Sequence, residues 1–94
     1  MDEIFARTEL LIGAEGIAKL KKSHVAIAGV GGVGSYAAEA MVRTGIGTVT
    51  IIDFDTIDVT NINRQIHALH STVGRKKVEV MKERLEDINP EAQI

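Results

Sequence analysis

A short β-branched run ending in closely spaced glycines constrains this chain more than any other feature. Val25-Ala26-Ile27-Ala28-Gly29-Val30-Gly31-Gly32-Val33-Gly34 leads into an alanine-rich stretch, and a second apolar run closes on Ile51-Ile52-Asp53, nineteen residues after Gly34. Strand, glycine turn, helix and a second strand form a βαβ unit, because parallel neighbours need a crossover of a dozen or more residues between them. The glycines have separate tasks in such a unit. They allow the tight turn, a close approach to the backbone, and contact between helix and strand. The expected fold class is α/β: a Rossmann-like parallel sheet with flanking helices.

The acid at the end of the second strand gives that unit a chemical reading. Orphan N–H groups at a helix N-terminus suit phosphate, and a carboxylate about twenty residues on suits ribose hydroxyls. The pattern Gly29-x-Gly31-x-x-Gly34 alone is a weak signal that also occurs in plain flexible turns. The preceding strand, the following helix and the spaced Asp53 turn it into a nucleotide site. On these residues alone an NAD-binding oxidoreductase leads, with Asp53 on the adenosine ribose.

Length limits the expectation. Ninety-four residues make at most one small domain. A doubly wound nucleotide domain needs about five or six strands, whereas two are legible here, with a third starting at Ala92-Gln93-Ile94 after Asn89-Pro90. An N-terminal part of a longer protein is therefore expected.

The rest of the chain reads as helices and loop around those strands. A helix is expected from about Thr8 to Lys22, with Leu11, Ile12, Ile17 and Leu20 apolar and Gly13 and Gly16 interrupting it. His24 to Val30 reads as a strand apolar enough for burial on both faces. Val33 to Thr44 reads as a helix with Ala37, Met41 and Val42 facing the sheet, capped at Gly45. Thr48 to Asp53 is the second strand. Phe54 to His70 reads as loop with a short helical turn. Gly74 to Asn89 reads as a helix with Val78, Met81, Leu85 and Ile88 on one stripe, stopped by Pro90.

Composition excludes several classes. A net charge of −2 supplies no basic field for nucleic acid, and the absence of cysteine removes disulfides, thiolate metal sites and a cysteine nucleophile from this stretch. No apolar run approaches the ~18 residues of a membrane span. Met1-Asp2-Glu3-Ile4 lacks the basic and apolar regions of a signal peptide, so a cytoplasmic location is expected. His67 and His70 are three apart, but no nearby acid or cysteine completes a metal site, and they read as structural or surface residues. Lys19-Leu20-Lys21-Lys22 reads as a solvated helix end.

The residues after Asp53 count against a dehydrogenase. Asp55, Asn61 and Arg64 follow it, and Lys77 lies thirteen residues beyond Arg64. Two cations and an amide exceed what a pyrophosphate held by backbone N–H groups requires. An enzyme that splits a triphosphate needs fixed cations for the charge growing on its leaving group. The bland alternative leaves Arg64 and Lys77 on solvated faces.

Taken together, Arg7-Thr8-Glu9-Leu10-Leu11-Ile12-Gly13, the glycine turn with Ser35, Asp53-Phe54-Asp55, Asn61-Ile62-Asn63-Arg64-Gln65, Gly74-x-x-Lys77-Val78 and Asn89-Pro90 strongly resemble the superfamily of ThiF, MoeB and HesA. These are ATP-dependent adenylating enzymes related to ubiquitin-activating enzymes. The resemblance covers nearly the whole chain. The wording of residues 7–13 and 63–72 looks most like the bacterial tRNA threonylcarbamoyladenosine dehydratase branch.

This resemblance implies roles residue by residue. Gly29, Gly31, Gly32 and Gly34 would let ATP phosphates approach the backbone. Asp53 would hold the ribose, Asn61 and Arg64 the phosphates, and Lys77 would neutralise departing pyrophosphate. Arg7 matches an arginine that reaches into the ATP site of the partner in a homodimer. Asp55 would assist ribose or metal, or start the turn. ATP with Mg2+ is the implied cofactor pair, and the family's magnesium-binding aspartate lies beyond Ile94, so no metal ligand is expected here. Residues 1–94 would form the N-terminal part of a ThiF/MoeB-type ATP-binding adenylating domain, inactive alone without its C-terminal half. The implied substrate is tRNA, with the C-terminal glycine of a ubiquitin-like sulfur carrier as the alternative. Zinc-binding CxxC pairs in the C-terminal half would favour the sulfur carrier, and a basic surface there would favour tRNA.

An open parallel edge and the implied dimer predict self-association. The mass measured by sedimentation should rise with concentration, and a concentration-independent monomer mass counts against it.

Overall fold

The computed structural model describes residues 3–94. A 3-10 turn at Glu3–Phe5 leads into helix α1 (Ala6–Lys21), strand β1 (His24–Ala28), helix α2 (Gly34–Thr44), strand β2 (Thr48–Ile52), a second 3-10 turn (Val59–Asn61) and helix α3 (Lys77–Ile88). The strands pair in parallel, from His24 opposite Thr48 to Ala28 opposite Ile52. On the other edge of β2, the Val49 N–H donates to Gln93 O and the Gln93 N–H donates to Gly47 O, both at 2.9 Å. The strand expected after Pro90 thus begins in parallel at Gln93.

Each crossover steps the same way across the sheet, from β1 to β2 to Gln93. Right-handed connections of that kind put their helices on one face. Accordingly α2 and α3 share a core: Val30, Ala38, Val42, Ile46, Val49, Met81 and Leu85 are buried together, with Val25, Ile27 and Ile51 of the strands packed against them. Burial of β1 on both faces is not what the described residues show. His24, Ala26, Ala28, Thr50 and Ile52 face outward and are exposed, because both crossover helices lie on the opposite side.

Element ends differ from the sequence reading for local reasons. β1 stops at Ala28 rather than Val30, since Gly29 turns the chain at φ +91°. Ala38 rather than Ala37 enters the core of α2. Gly45 caps that helix as expected, in the left-handed conformation at φ 112°, with its N–H on Met41 O and Val42 O. α3 begins at Lys77, not Gly74, because the preceding residues are tied to residues 55–57. Gly74 N–H donates to Ile57 O (2.8 Å), Ile57 N–H to Arg75 O (2.8 Å) and Lys77 N–H to Asp55 O (3.1 Å).

α1 spans the expected helix but bends at Gly13, whose φ of 75° and ψ of 171° are not helical. Beyond the bend Ile17 is buried and Leu20 packs on the core. Before it, Leu10 and Leu11 are 83% and 87% exposed, so Leu11 and Ile12 do not continue the buried stripe. Phe5 closes the start of α1 against Gly45, at the C-terminal end of α2.

Leu85 is fully buried between α3 and the sheet. Leu85→Ala should therefore cost ~2–5 kcal/mol in urea denaturation, whereas Leu11→Ala should stay within ~0.5 kcal/mol. Equal, small costs at both positions would mean that α3 is not part of the core.

Candidate functional site

The C-terminal ends of β1 and β2 carry the residues that the sequence singles out. A side chain on Gly34 would overlap the carbonyl of Gly29, so the turn can press against the start of α2 only with glycine there. Ser35 N–H bonds to Gly31 O (3.0 Å), which begins the helical ladder inside the turn. No acceptor among the described residues takes the N–H of Gly31, Gly32, Val33 or Gly34. These are the orphan donors that make a helix N-terminus receptive to anions.

Asp53 lies beside this turn at the end of β2. Its Oδ2 accepts the Val30 N–H at 2.9 Å and its Oδ1 accepts the Asp55 N–H at 2.8 Å. Each oxygen keeps a further lone pair for a hydroxyl. Burial alone would push this carboxyl up. The two N–H donors, and then the charge of Lys77, outweigh it and hold Asp53 below the usual carboxylate value. Ala28, Gly29, Ile52, Asp53, Phe54 and Asp55 line an open groove of about 280 Å³ at this place, with Phe54 almost fully exposed at its rim. The hollow between Phe5, Ile17 and Gly45, at about 60 Å³, is too small for a nucleotide.

Lys77 is buried at the first position of α3, with its Nζ 4.0 Å from the exposed carboxylate of Asp55. Its ammonium makes no hydrogen bond among the described residues. The backbone pairing of residues 55–57 with 74–77 carries it there. A buried cation with one long contact is costly unless something anionic joins it.

The loop between β2 and α3 delivers the remaining residues. Asp58 caps the 3-10 turn and Asn61 completes the box by accepting the Asp58 N–H on Oδ1 at 2.8 Å. Asn61 is buried, and no hydrogen bond among the described residues uses its Nδ2. The Cγ and Cδ of Arg64 lie 3.6 and 3.8 Å from where a Cβ on Gly32 would stand. Its guanidinium is held within its own loop, by Thr60 O (3.1 Å) and Asn63 Oδ1 (2.7 Å).

Three residues in or near the motifs, not singled out in the sequence for a site role, hold this loop on the turn. Ser35 Oγ donates to Gly31 O and accepts the Ile66 N–H at 3.3 Å. The Gln65 amide lies beside Gly31. His67 is buried and its Nε2 lies 2.7 Å from Val30 O. Burial pushes the His67 imidazole below its usual value, the neutral form in which Nε2–H donates to that carbonyl. Ser35 and Gln65 stand within the motifs that carry the resemblance, and His67 follows Arg64 by three residues, but no role was read for them at the turn. The structural role read for His67 is what the fold shows, while His70 is exposed. Among the described residues, no three His, Cys, Asp or Glu side chains gather to hold a metal.

Arg7 is not brought to the site. It lies two residues after Phe5, which packs at the far end of α2 from the glycine turn. That helix has 11 residues, a length of about 16 Å.

The sequence profile of the ThiF family matches residues 5–94. The chain belongs to the ThiF family. It is 58% identical over 90 residues to the tRNA threonylcarbamoyladenosine dehydratase of Bacillus subtilis, covering 96% of this chain and 35% of that protein. It is 40% identical over 80 residues to the molybdopterin-synthase adenylyltransferase of Escherichia coli, covering 85% of this chain and 32% of that protein. In three dimensions it resembles the E. coli tRNA N6-threonylcarbamoyladenosine dehydratase solved in complex with ATP. The TM-score is 0.95 at 50% identity, over 97% of this chain and 37% of that one. The chain thus spans about a third of the length of the relatives it matches. The Rossmann-like α/β arrangement read from the glycine turn is the one this ThiF family member adopts.

Asp53 ties stability to pH. Because its folded carboxyl sits below the unfolded value, its contribution is complete above the unfolded value and is lost as pH falls through the folded one. The gap in urea midpoint between wild type and Asp53→Asn should therefore narrow as the pH is lowered through the carboxylate range. A gap that stays constant would show that the charge of Asp53 contributes nothing to folding.

Proposed function

We propose that this chain carries the ATP-holding part of an enzyme that adenylates a substrate carboxylate. The observation that carries the reading is the buried Lys77 ammonium. It lies within the electrostatic reach of Asp53 and has no hydrogen-bond partner among the described residues. A dinucleotide, with its pyrophosphate on backbone N–H groups, leaves that cation without a task. The phosphates of ATP give it one.

The site's fit to ATP follows from the same atoms. The free N–H groups from Gly31 to Gly34 would receive phosphate oxygens, and the spare lone pairs of Asp53 would receive the ribose hydroxyls in the groove beside Phe54. The unused Nδ2 of Asn61 and the guanidinium of Arg64, released from Thr60 and Asn63, would reach the phosphates. Lys77 would meet the charge that builds on pyrophosphate, with Asp55 holding it in place. Mg2+ would enter on the phosphates. A carboxylate oxygen bonds to the α-phosphorus as the bond to pyrophosphate breaks, giving an acyl-adenylate. That step needs no protein nucleophile, in accord with a chain without cysteine.

Arg7 fits this scheme only in trans. A side chain that starts near the far end of α2 does not span about 16 Å, so its contribution to phosphate binding would come from the second subunit of a homodimer. For the substrate, the high identity to enzymes of threonylcarbamoyladenosine dehydration in tRNA favours the carboxylate of that nucleoside, in a cytoplasmic setting. The lower identity to a molybdopterin-synthase adenylyltransferase supports the second reading, a ubiquitin-like sulfur carrier. Among the described residues no helix is long and apolar enough to cross a membrane.

Calorimetric titration of the wild type and of Arg64→Ala with ATP–Mg2+ and with NAD tests the proposal. ATP should bind in a magnesium-dependent way, and the variant should bind it roughly tenfold more weakly, the worth of one hydrogen bond to a charged group. NAD binding that ignores both magnesium and the mutation would overturn the adenylating reading.

A further inference from the structure

Three successive peptide groups of the glycine turn are each held by a side chain from a different element. The Gly29–Val30 peptide is held at its N–H by Asp53, at the end of β2. The Gly31–Gly32 peptide is held at its carbonyl by Ser35 of α2. Between them, the Val30–Gly31 peptide is held at its carbonyl by His67 of the long loop, 2.7 Å away.

The middle bond has a consequence for anion binding. Among the described residues no peptide is cis, and in a trans peptide the C=O and N–H point in opposite directions. Fixing the Val30 carbonyl on His67 therefore aims the Gly31 N–H away from His67, out of the buried loop contact. The peptide sits before a glycine, where backbone rotation is cheap. Turned over, it would present a carbonyl oxygen in place of a donor, which repels phosphate.

We propose that His67 is a positioning residue of the phosphate cradle: its Nε2–H holds the Val30–Gly31 peptide with the Gly31 N–H turned toward the bound anion. This rests on the ATP reading given above. Two further features suit His67 to the task. It is 1% exposed and its Nδ1 has no partner, so a neutral ring with a single donor has one productive tautomer, Nε2–H. It also lies three residues after Arg64, whose stem rests on Gly32. The same docked loop therefore sets both the donor and the arginine.

The test compares wild type, His67→Leu and His67→Gln as full chains. ATP–Mg2+ binding is read by calorimetry and adenosine binding by NMR titration. The leucine variant keeps the packing and loses the donor. It should bind ATP roughly tenfold or more weakly, the worth of a donor aimed at a charged group, while adenosine affinity is unchanged. Glutamine, which can place an amide N–H near the position of Nε2, should restore most of the ATP affinity. Should the leucine variant fail to fold, His67→Asn, with a donor too short to reach Val30, is read in its place with the same expectation. Equal losses for ATP and adenosine, or no loss at all, would overturn the inference and leave the ATP reading standing. A wild-type chain that binds NAD but not ATP would instead remove the ATP reading, and the inference with it.

Discussion

The hydrogen bond from the Val30 N–H to Asp53 is the contact on which the strand-end region depends. It joins the turn after β1 to the end of β2 just where the parallel ladder runs out, one residue beyond the Gly29 N–H on Ile52 O. With that carboxylate engaged, the glycine turn has a fixed position relative to the groove. The Asp55 N–H on the other oxygen then sets the direction in which the chain leaves β2. Holding the two strand ends together is electrostatic work, and it keeps Asp53 ionised against the effect of its own burial.

The departing chain next pairs with the segment before α3, and this pairing brings Lys77 into the interior. A lysine is rarely buried without a partner. Here its helix start is fixed by backbone bonds to Asp55 and by the core contacts of Val78, Met81 and Leu85. The stability of α3 on the sheet thus holds a cation in a place it would not choose on solvation grounds. Functional sites commonly show such local costs supported by the surrounding fold.

Much of the arrangement was legible in the sequence because it rests on local rules. The apolar runs read at 24–30 and 48–53, the glycine spacing, the Gly45 cap and the stripe of Val78, Met81, Leu85 and Ile88 each follow from short-range periodicity or backbone freedom. The asparagine-rich loop with its short helical turn was legible too, and Asp58 and Asn61 supply its cap. The errors share another cause. Leu11 and Ile12 match the stripe of their helix, yet the bend at Gly13 turns them outward. α3 starts three residues late because Gly74, Arg75 and Lys77 give their backbone groups to residues 55–57, a pairing across a loop that periodicity does not carry. His67 has the structural role read for it, but its partner was not legible, since the Val30 carbonyl lies 37 residues away in the chain.

The sequence by itself determined a parallel βαβ unit with a glycine turn, an acid at the end of the second strand, and motifs that place the chain in its family. Those are properties of neighbours along the chain, or of spacings that one helix spans. Tertiary structure alone decided that one sheet face is covered and the other exposed, because the handedness of successive crossovers is a property of the whole path. It also decided that Arg64 rests on Gly32, that Arg7 lies at the opposite end of α2, and that Lys77 is buried. Those outcomes depend on tertiary contacts (Arg64 with Gly32, Phe5 with Gly45, residues 55–57 with 74–77) between residues seventeen or more positions apart, which local periodicity does not carry.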